Sequence, residues 1–221
     1  MIRAYSDLYL DDAMSAVGAM LDYAVNACGE PLSLFYARFL SSGIAEQISA
    51  GNPRYLGGHS GVELAVEVAR RTGNPLPERE PIIDMGSPEY WAGWTMVYLQ
   101  WYLNLDFGQM QALGISINAL FSRYAPLHEA DLSKSVQFAH GIIEEWLQAH
   151  NPLSSARKKA KLTQQQLSTL SGVSLRAIRA YEQGQLSLES ASAASLQHIS
   201  QILGCRSETL LVNRAVASCP T

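Results

Sequence analysis

Apolar residues recur at steps of three and four along most of this chain, which is the period of an amphipathic α-helix. In the segment 7–28 they share one helical face until Gly29 and Pro31 end the pattern. Similar stripes follow at 34–40, 44–50, 60–73, 87–102, 117–124 and 132–146. No segment sustains the alternation with period two that predicts a strand. The pattern therefore predicts an all-α chain, with six or seven helices in residues 1–150.

The segment 87–102 carries aromatic residues at the same helical spacing. Ser87 and Pro88 form its start signal, a cap followed by proline at the first helical position. Large aromatic side chains at this spacing are typical of a helical core, and a ligand-lining stripe is the alternative interpretation. We assign the stripe to the core: Trp91, Trp94, Tyr98 and Trp101.

Charge is divided unevenly along the chain. The 221 residues have a formal net charge of −4. Residues 1–150 carry 8 Lys and Arg against 17 Asp and Glu, a net charge of −9, whereas residues 151–221 carry 8 against 3, a net charge of +5. This asymmetry predicts an acidic helical domain at 1–150, a basic domain at 151–212 and a short tail at 213–221. The basic domain is the candidate for binding a polyanion.

Composition excludes several classes of protein. An apolar fraction of 48% with 16% charged residues is typical of a globular chain rather than a disordered one. The longest uncharged apolar run, 90–105, is shorter than the roughly 20 residues of a membrane-spanning helix. The three cysteines are odd in number and form no Cys-x-x-Cys motif, so neither a disulfide framework nor a zinc knuckle is predicted. We expect a reduced, cytoplasmic protein.

No catalytic or metal-binding constellation emerges from residues 1–150. His128, Glu129, Asp131 and His140 fit no zinc spacing, and Asp131 is a candidate helix cap. The glycine-rich turn at 57–61 lacks the Gly-Lys-Ser/Thr sequence of a phosphate loop. We therefore predict no catalytic residue, no metal and no cofactor.

The basic segment has the pattern of two short helices joined by a glycine turn. Thr163 and Gln166 have the spacing of a capping box, the following helix ends at Gly172, and a second helix is predicted over 175–183. On the helical wheel of this second helix, Ile178 and Tyr181 lie together on the inward face. The opposite face carries guanidinium and amide groups, which read base edges or bind phosphates. Those residues are Arg176, Ala180 and Gln183, with Arg179 flanking them.

Residues 153–212 resemble the lambda-repressor-like family of helix-turn-helix domains, often called XRE. The resemblance covers the five helices expected of the family, but no part of residues 1–150. The matching positions are Arg157, Leu162, Thr163, Gln164, Leu167, Gly172, Val173, Ser174, Ile178, Glu182, Gly184, Leu203, Gly204, Leu210 and Leu211.

The resemblance implies which side chains contact DNA. Base reading falls to Ser174, Leu175, Arg176, Arg179 and Ala180, and contacts with the DNA backbone to Lys161, Gln164, Gln165 and Gln183. Arg157 and Glu182 occupy positions at which the family often has an internal salt bridge, which is a structural role.

Two positions depart from the family pattern. Leu175 and Ala180 stand where polar readers are common, so base recognition rests on Arg176 and Arg179, with thymine methyl contacts from the apolar pair. For each arginine, a phosphate contact that carries no sequence information is the alternative.

These features predict a sequence-specific DNA-binding transcription regulator, a repressor that binds double-stranded DNA as a homodimer. The acidic domain would supply a dimer contact, a sensor site for a small ligand or a surface for a protein partner. The alternative is an antitoxin-like protein that blocks a partner through residues 1–150 and autoregulates through its DNA-binding domain. An enzyme tethered to DNA is disfavoured because no catalytic constellation is present.

Overall fold

The computed structural model describes residues 4–211. The predicted tail at 213–221 and Cys219 lie outside these residues. The chain divides into two compact units, 1–142 and 143–221, called here the N-terminal and C-terminal units. Every regular element within residues 4–211 is helical, which confirms the all-α class. Within the same residues no helix has both the length and the apolar content needed to cross a membrane.

The N-terminal unit contains more helices than the sequence pattern predicts. Three helices that no predicted stripe covers, α4, α7 and α9, have four to six residues each. A 3-10 turn, Asp7–Tyr9, precedes α1, and a π-helical turn, Tyr23–Ala27, extends it. The first ten α-helices in chain order are α1 Leu10–Asp22, α2 Leu32–Ser41, α3 Ile44–Ser49, α4 Pro53–Leu56, α5 Gly61–Arg71, α6 Pro88–Leu103, α7 Phe107–Ala112, α8 Ile117–Phe121, α9 Tyr124–Leu127 and α10 Leu132–Ala149.

The core of the N-terminal unit forms where α1 crosses α6. A Cβ atom placed on Gly93 would lie 2.8 Å from the Val17 carbonyl oxygen, and one on Gly18 would lie 3.0 Å from the Tyr90 carbonyl oxygen. The two helices therefore approach each other at backbone distance, which only glycine permits at these positions.

This close crossing corrects the prediction for the aromatic stripe of α6. Trp91 is buried, but Trp94, Tyr98 and Trp101 are only half-buried. The fully buried face of α6 is instead made of smaller residues such as Ala92, along with Met96 and Leu99. Small side chains let the neighbouring helix come near, so the large rings lie beside the contact rather than in it.

Side-chain caps set several helix starts in the N-terminal unit. Ser60 and Glu63 form a capping box at the start of α5, with the Ser60 backbone N–H donating to the Glu63 carboxylate at 2.7 Å. Asp131 accepts from the Ser133 backbone N–H at 2.8 Å, which is the cap expected for α10. The Ser133 side chain, together with this backbone bond, holds the pKa of the exposed Asp131 carboxyl below its ordinary value.

The C-terminal unit has a core of six buried side chains, one from each of the five helices after α10 and one from a 3-10 turn: Leu153, Leu167, Ile178, Leu188, Ile199 and Leu210. A 3-10 turn, Leu188–Ser190, separates the third helix of this domain from the fourth. The helices after α10 are α11 Pro152–Lys159, α12 Gln164–Ser171, α13 Leu175–Glu182, α14 Ala193–Leu203 and α15 Ser207–Leu210. Arg206 precedes α15, and its side chain makes no capping bond.

Candidate nucleic-acid interface

The turn between α12 and α13 is held by small polar side chains. Gly172 ends α12 in the left-handed conformation, with φ of 71°, which glycine adopts without strain. The Ser168 hydroxyl donates to the Val173 carbonyl oxygen at 2.6 Å and so ties the turn to the preceding helix. Ser174 then caps α13 by accepting from the Ala177 backbone N–H. These bonds fix the angle at which α13 leaves α12.

Asn151 links α11 to α13. Its side-chain oxygen caps α11 by accepting from the Ser154 N–H at 3.1 Å. Its amide nitrogen donates to the Tyr181 carbonyl oxygen near the end of α13 at 2.8 Å. One largely buried side chain thus satisfies backbone groups on two helices at once.

A second, charged link connects the same two helices. The Arg157 guanidinium binds the Glu182 carboxylate through two bonds, Nε to Oε1 at 2.6 Å and Nη2 to Oε2 at 2.8 Å. Its remaining terminal nitrogen donates to the Leu162 carbonyl oxygen at 2.7 Å. The side chains of Arg157 and Glu182 are only 11% and 5% exposed. The structure therefore brings together the two residues that the resemblance assigns to an internal ion pair.

Gln164 joins this pair from the first turn of α12. Its side-chain nitrogen donates to Glu182 Oε2 at 2.9 Å. Burial of Glu182 opposes ionisation, but the bonds from Arg157 and Gln164 outweigh that effect and hold the pKa of the carboxyl below its ordinary value. The carboxylate correspondingly raises the pKa of the Arg157 guanidinium. Sequence reasoning assigned Gln164 to the DNA backbone alone and missed this contact.

The outward face of α13 carries the residues predicted to read bases. Arg176, Arg179 and Gln183 are exposed, as is Ser174 at the start of the helix, whereas Leu175 and Ala180 are half-buried. All six line one shallow concave surface. Among the hydrogen bonds and ion pairs within residues 4–211, none involves the guanidinium of Arg176 or Arg179. Two cationic forks are thus presented to solvent on one helix face.

The residues predicted to bind the DNA backbone have different surroundings. Lys161 and Gln165 are exposed, whereas Gln164 is half-buried. Lys161 follows the end of α11 in the left-handed conformation, with φ of 57°, which is uncommon for a residue other than glycine.

Two residues beyond α13 extend the concave surface, and sequence reasoning did not select them. Gln185 and Leu186 are exposed and line it together with the α13 residues. Gly184, with φ of 71°, turns the chain after α13, and the Leu186 N–H then donates to the Ala180 carbonyl oxygen. The glycine at 184 was the available signal, because it turns the following residues back along the helix.

The structure gives contacts for one of the histidines singled out in residues 1–150. His128 stacks on Tyr124 and lies 3.6 Å from the Glu129 carboxylate. Within the residues that the structure describes, no three His, Cys, Asp or Glu side chains are grouped so as to hold a metal ion.

Comparison with known proteins gives one match. Residues 153–210 match the family model described as helix-turn-helix. Searches of curated proteins and of solved structures found no match. The matched segment contains the capped α12, the Gly172 turn and the exposed α13, so residues 153–210 form a helix-turn-helix domain of the lambda-repressor-like type.

Proposed function

We propose that this protein is a sequence-specific transcription regulator that inserts α13 into the major groove of double-stranded DNA. One observation carries the proposal: the second helix of the helix-turn-helix presents Arg176 and Arg179 to solvent, with no protein partner for either guanidinium among the described residues. An arginine fork can donate two hydrogen bonds to a guanine O6 and N7, which is the commonest specific contact in this groove.

In this proposal some exposed residues contact bases and others contact phosphates. Arg176, in the first turn, reaches into the groove where recognition helices contact base edges. Leu175 and Ala180 are half-buried and apolar, so they suit contact with thymine methyl groups. Lys161, Gln165 and Gln183 contact phosphates and set the register of the helix.

Gln164 has two roles in this proposal. Its bond to Glu182 uses one of its two amide hydrogens, and the other remains for a phosphate oxygen. The backbone N–H groups in the first turn of α12 add to that phosphate site. Because the same side chain touches the Arg157–Glu182 pair, a phosphate contact here is coupled to the link that positions α13.

We further propose that the protein acts as a repressor and binds as a homodimer. A single small DNA-binding module buries only about 600–1,000 Å², and proteins of this type bind two half-sites roughly 34–36 Å apart. In this proposal residues 151–212 bind DNA, and residues 1–150 serve interaction or sensing.

Selection of bound sequences from random double-stranded DNA tests the proposal with the full-length chain. We expect a recurrent palindrome with two protein chains per duplex. Arg176→Ala should lose the selected preference, whereas Arg206→Ala, which removes an exposed cation outside α13, should retain it. A wild-type chain that enriches no sequence would contradict the proposal. A repressor should also lower expression from a reporter promoter that contains the selected sequence.

A further inference from the structure

The segment 72–87, which joins α5 to α6 in the N-terminal unit, forms neither helix nor strand. Irregular segments of this length are uncommon in compact domains and are usually functional or disordered. Pro75, Pro77 and Pro81 remove three backbone donors and keep the chain extended. Its backbone makes few bonds to itself, such as that between the Ile82 N–H and the Glu80 carbonyl oxygen.

Side chains from the rest of the N-terminal unit bind this segment at several points between Asn74 and Ser87. Buried Asp22 accepts from the Asp84 backbone N–H at 2.9 Å and from the Ser87 hydroxyl at 2.6 Å. Further donors bind its carbonyl oxygens: Arg38 to Asn74, Cys28 to Pro77, Tyr23 to Arg79 and Tyr124 to Gly86. The segment is therefore held in one conformation, although it has no regular secondary structure.

The immobilised segment presents apolar side chains to solvent. Ile82 is 69% exposed and Met85 is 73% exposed, whereas Leu76 and Ile83 are half-buried. Fixing a backbone costs conformational entropy, and here the fixed backbone holds two large apolar side chains outward. The exposed part of these side chains adds no buried area to the unit, and the fixed backbone preorganises it for insertion into a partner.

Acidic residues lie close in sequence to these apolar side chains. Glu78, Glu80 and Asp84 are exposed in the same segment, and Arg79 is its single cation. None of the three carboxylates takes part in an ion pair within residues 4–211. The surface therefore favours a positively charged partner and repels the phosphates of nucleic acid or of an anionic membrane.

We propose that residues 72–87 are the docking surface for a protein partner that presents an apolar recess bordered by lysine and arginine side chains. Ile82 and Met85 fill the recess, and Glu78, Glu80 and Asp84 face the cations around it. This inference goes beyond DNA recognition, because it uses no residue of the helix-turn-helix domain.

Peptide display tests this surface with probes of random sequence. A library of displayed random 12-residue peptides is selected against the full-length wild-type chain, and the affinities of the enriched peptides are then measured. We expect peptides with an aliphatic or aromatic cluster flanked by Lys or Arg. Ile82→Glu/Met85→Glu should weaken their binding at least about tenfold, as truncation of central contact residues does. Glu78→Lys/Glu80→Lys should also weaken it, more at low salt than at high salt.

Matched controls separate docking from misfolding. Val66→Glu alters an apolar side chain of the same unit that is 51% exposed on α5, and it should bind the peptides like wild type. All variants should keep the wild-type helix content by circular dichroism and should select the same DNA sequence as wild type, so this test can fail independently of the DNA-binding proposal. Failure to enrich peptides, or peptides that bind Ile82→Glu/Met85→Glu equally well, would overturn the inference. The inference would also be overturned if the wild-type chain self-associates in sedimentation and Ile82→Glu/Met85→Glu abolishes that self-association. The occupant of the surface would then be a second copy of the chain.

Discussion

Removing the Glu182 carboxylate should destabilise the helix-turn-helix domain far more than removing an exposed carboxylate. Glu182→Ala deletes two bonds from Arg157 and one from Gln164. It also leaves the Arg157 guanidinium, whose side chain is 11% exposed, with only the Leu162 carbonyl oxygen as partner. Breaking a buried pair by deleting one partner typically costs about 3–5 kcal/mol. That is a large share of the roughly 5–15 kcal/mol of a whole domain.

Hydrogen exchange measured by mass spectrometry resolves this loss within the full-length chain. Each 1.4 kcal/mol corresponds to about a tenfold change in an equilibrium constant, so protected amides of α12 and α14 should exchange roughly 100- to 5,000-fold faster. Amides of α1 and α6, in the other unit, serve as the internal reference. Glu208→Ala, which removes an exposed carboxylate of the same domain, should change exchange by less than about tenfold.

A double substitution separates two contributions to the stability of the domain: the penalty for a buried unpaired charge and the stabilisation by the ion pair itself. Arg157→Met/Glu182→Leu replaces both partners with apolar side chains and should recover much of the stability lost by Glu182→Ala. Wild-type exchange rates in Glu182→Ala would refute this reasoning, because the pair would then contribute no more than a solvated one.

The pKa of the Glu182 carboxyl is lowered in the folded state, so ionised Glu182 stabilises the domain. This stabilisation is complete above the unfolded pKa of about 4.3 and is lost as pH falls through the lower folded pKa. In acid denaturation followed by circular dichroism, Glu182→Gln should lack this pH-dependent loss of stability. Gly61→Ala should lower the melting temperature of the N-terminal unit, because the new Cβ would lie 2.6 Å from the Met20 backbone nitrogen. Gly141→Ala, in α10, should instead stabilise this unit by up to about 1 kcal/mol, because its new Cβ would have no neighbour within 4 Å. Residues 151–221 alone should bind random DNA more tightly at low salt than the full-length chain, as measured by fluorescence anisotropy, because the −9 charge of residues 1–150 repels phosphates; equal affinities would show that the acidic residues lie away from the DNA.

Local signals in the sequence were sufficient for the helix starts and for the turn of the DNA-binding domain. Thr163 and Gly172 act through neighbours three or four residues away, so their roles follow from spacing alone. The Arg157–Glu182 contact spans 25 positions and was reached only through the family resemblance. The bond from Gln164 to Glu182 was not expected, because spacing alone does not show which side of α12 faces α13.

The features that were missed depend on contacts between distant parts of the chain. Asp22 binds the segment 72–87 across more than 60 positions, and no local pattern records such a contact. The inward position of small residues on α6 likewise depends on Gly18 and Gly93, which meet only when the helices are packed. Periodicity located these helices but did not show which face lies against which neighbour.

The central claim, that Arg176 reads a base, is tested most directly by the binding of Arg176→Ala to DNA. The DNA is the sequence selected by the wild-type chain, called here the operator, and its single-base variants. Wild type, Arg176→Ala and the charge-matched Arg206→Ala are each titrated with the operator and every single-base variant at two salt concentrations. We expect Arg176→Ala to lose about 1–3 kcal/mol on the operator, less on random DNA, and to lose its preference at one base pair, whereas Arg206→Ala keeps the wild-type ranking. If Arg176→Ala instead keeps the wild-type ranking of every variant, Arg176 binds a phosphate, and base reading by the exposed face of α13 does not depend on it.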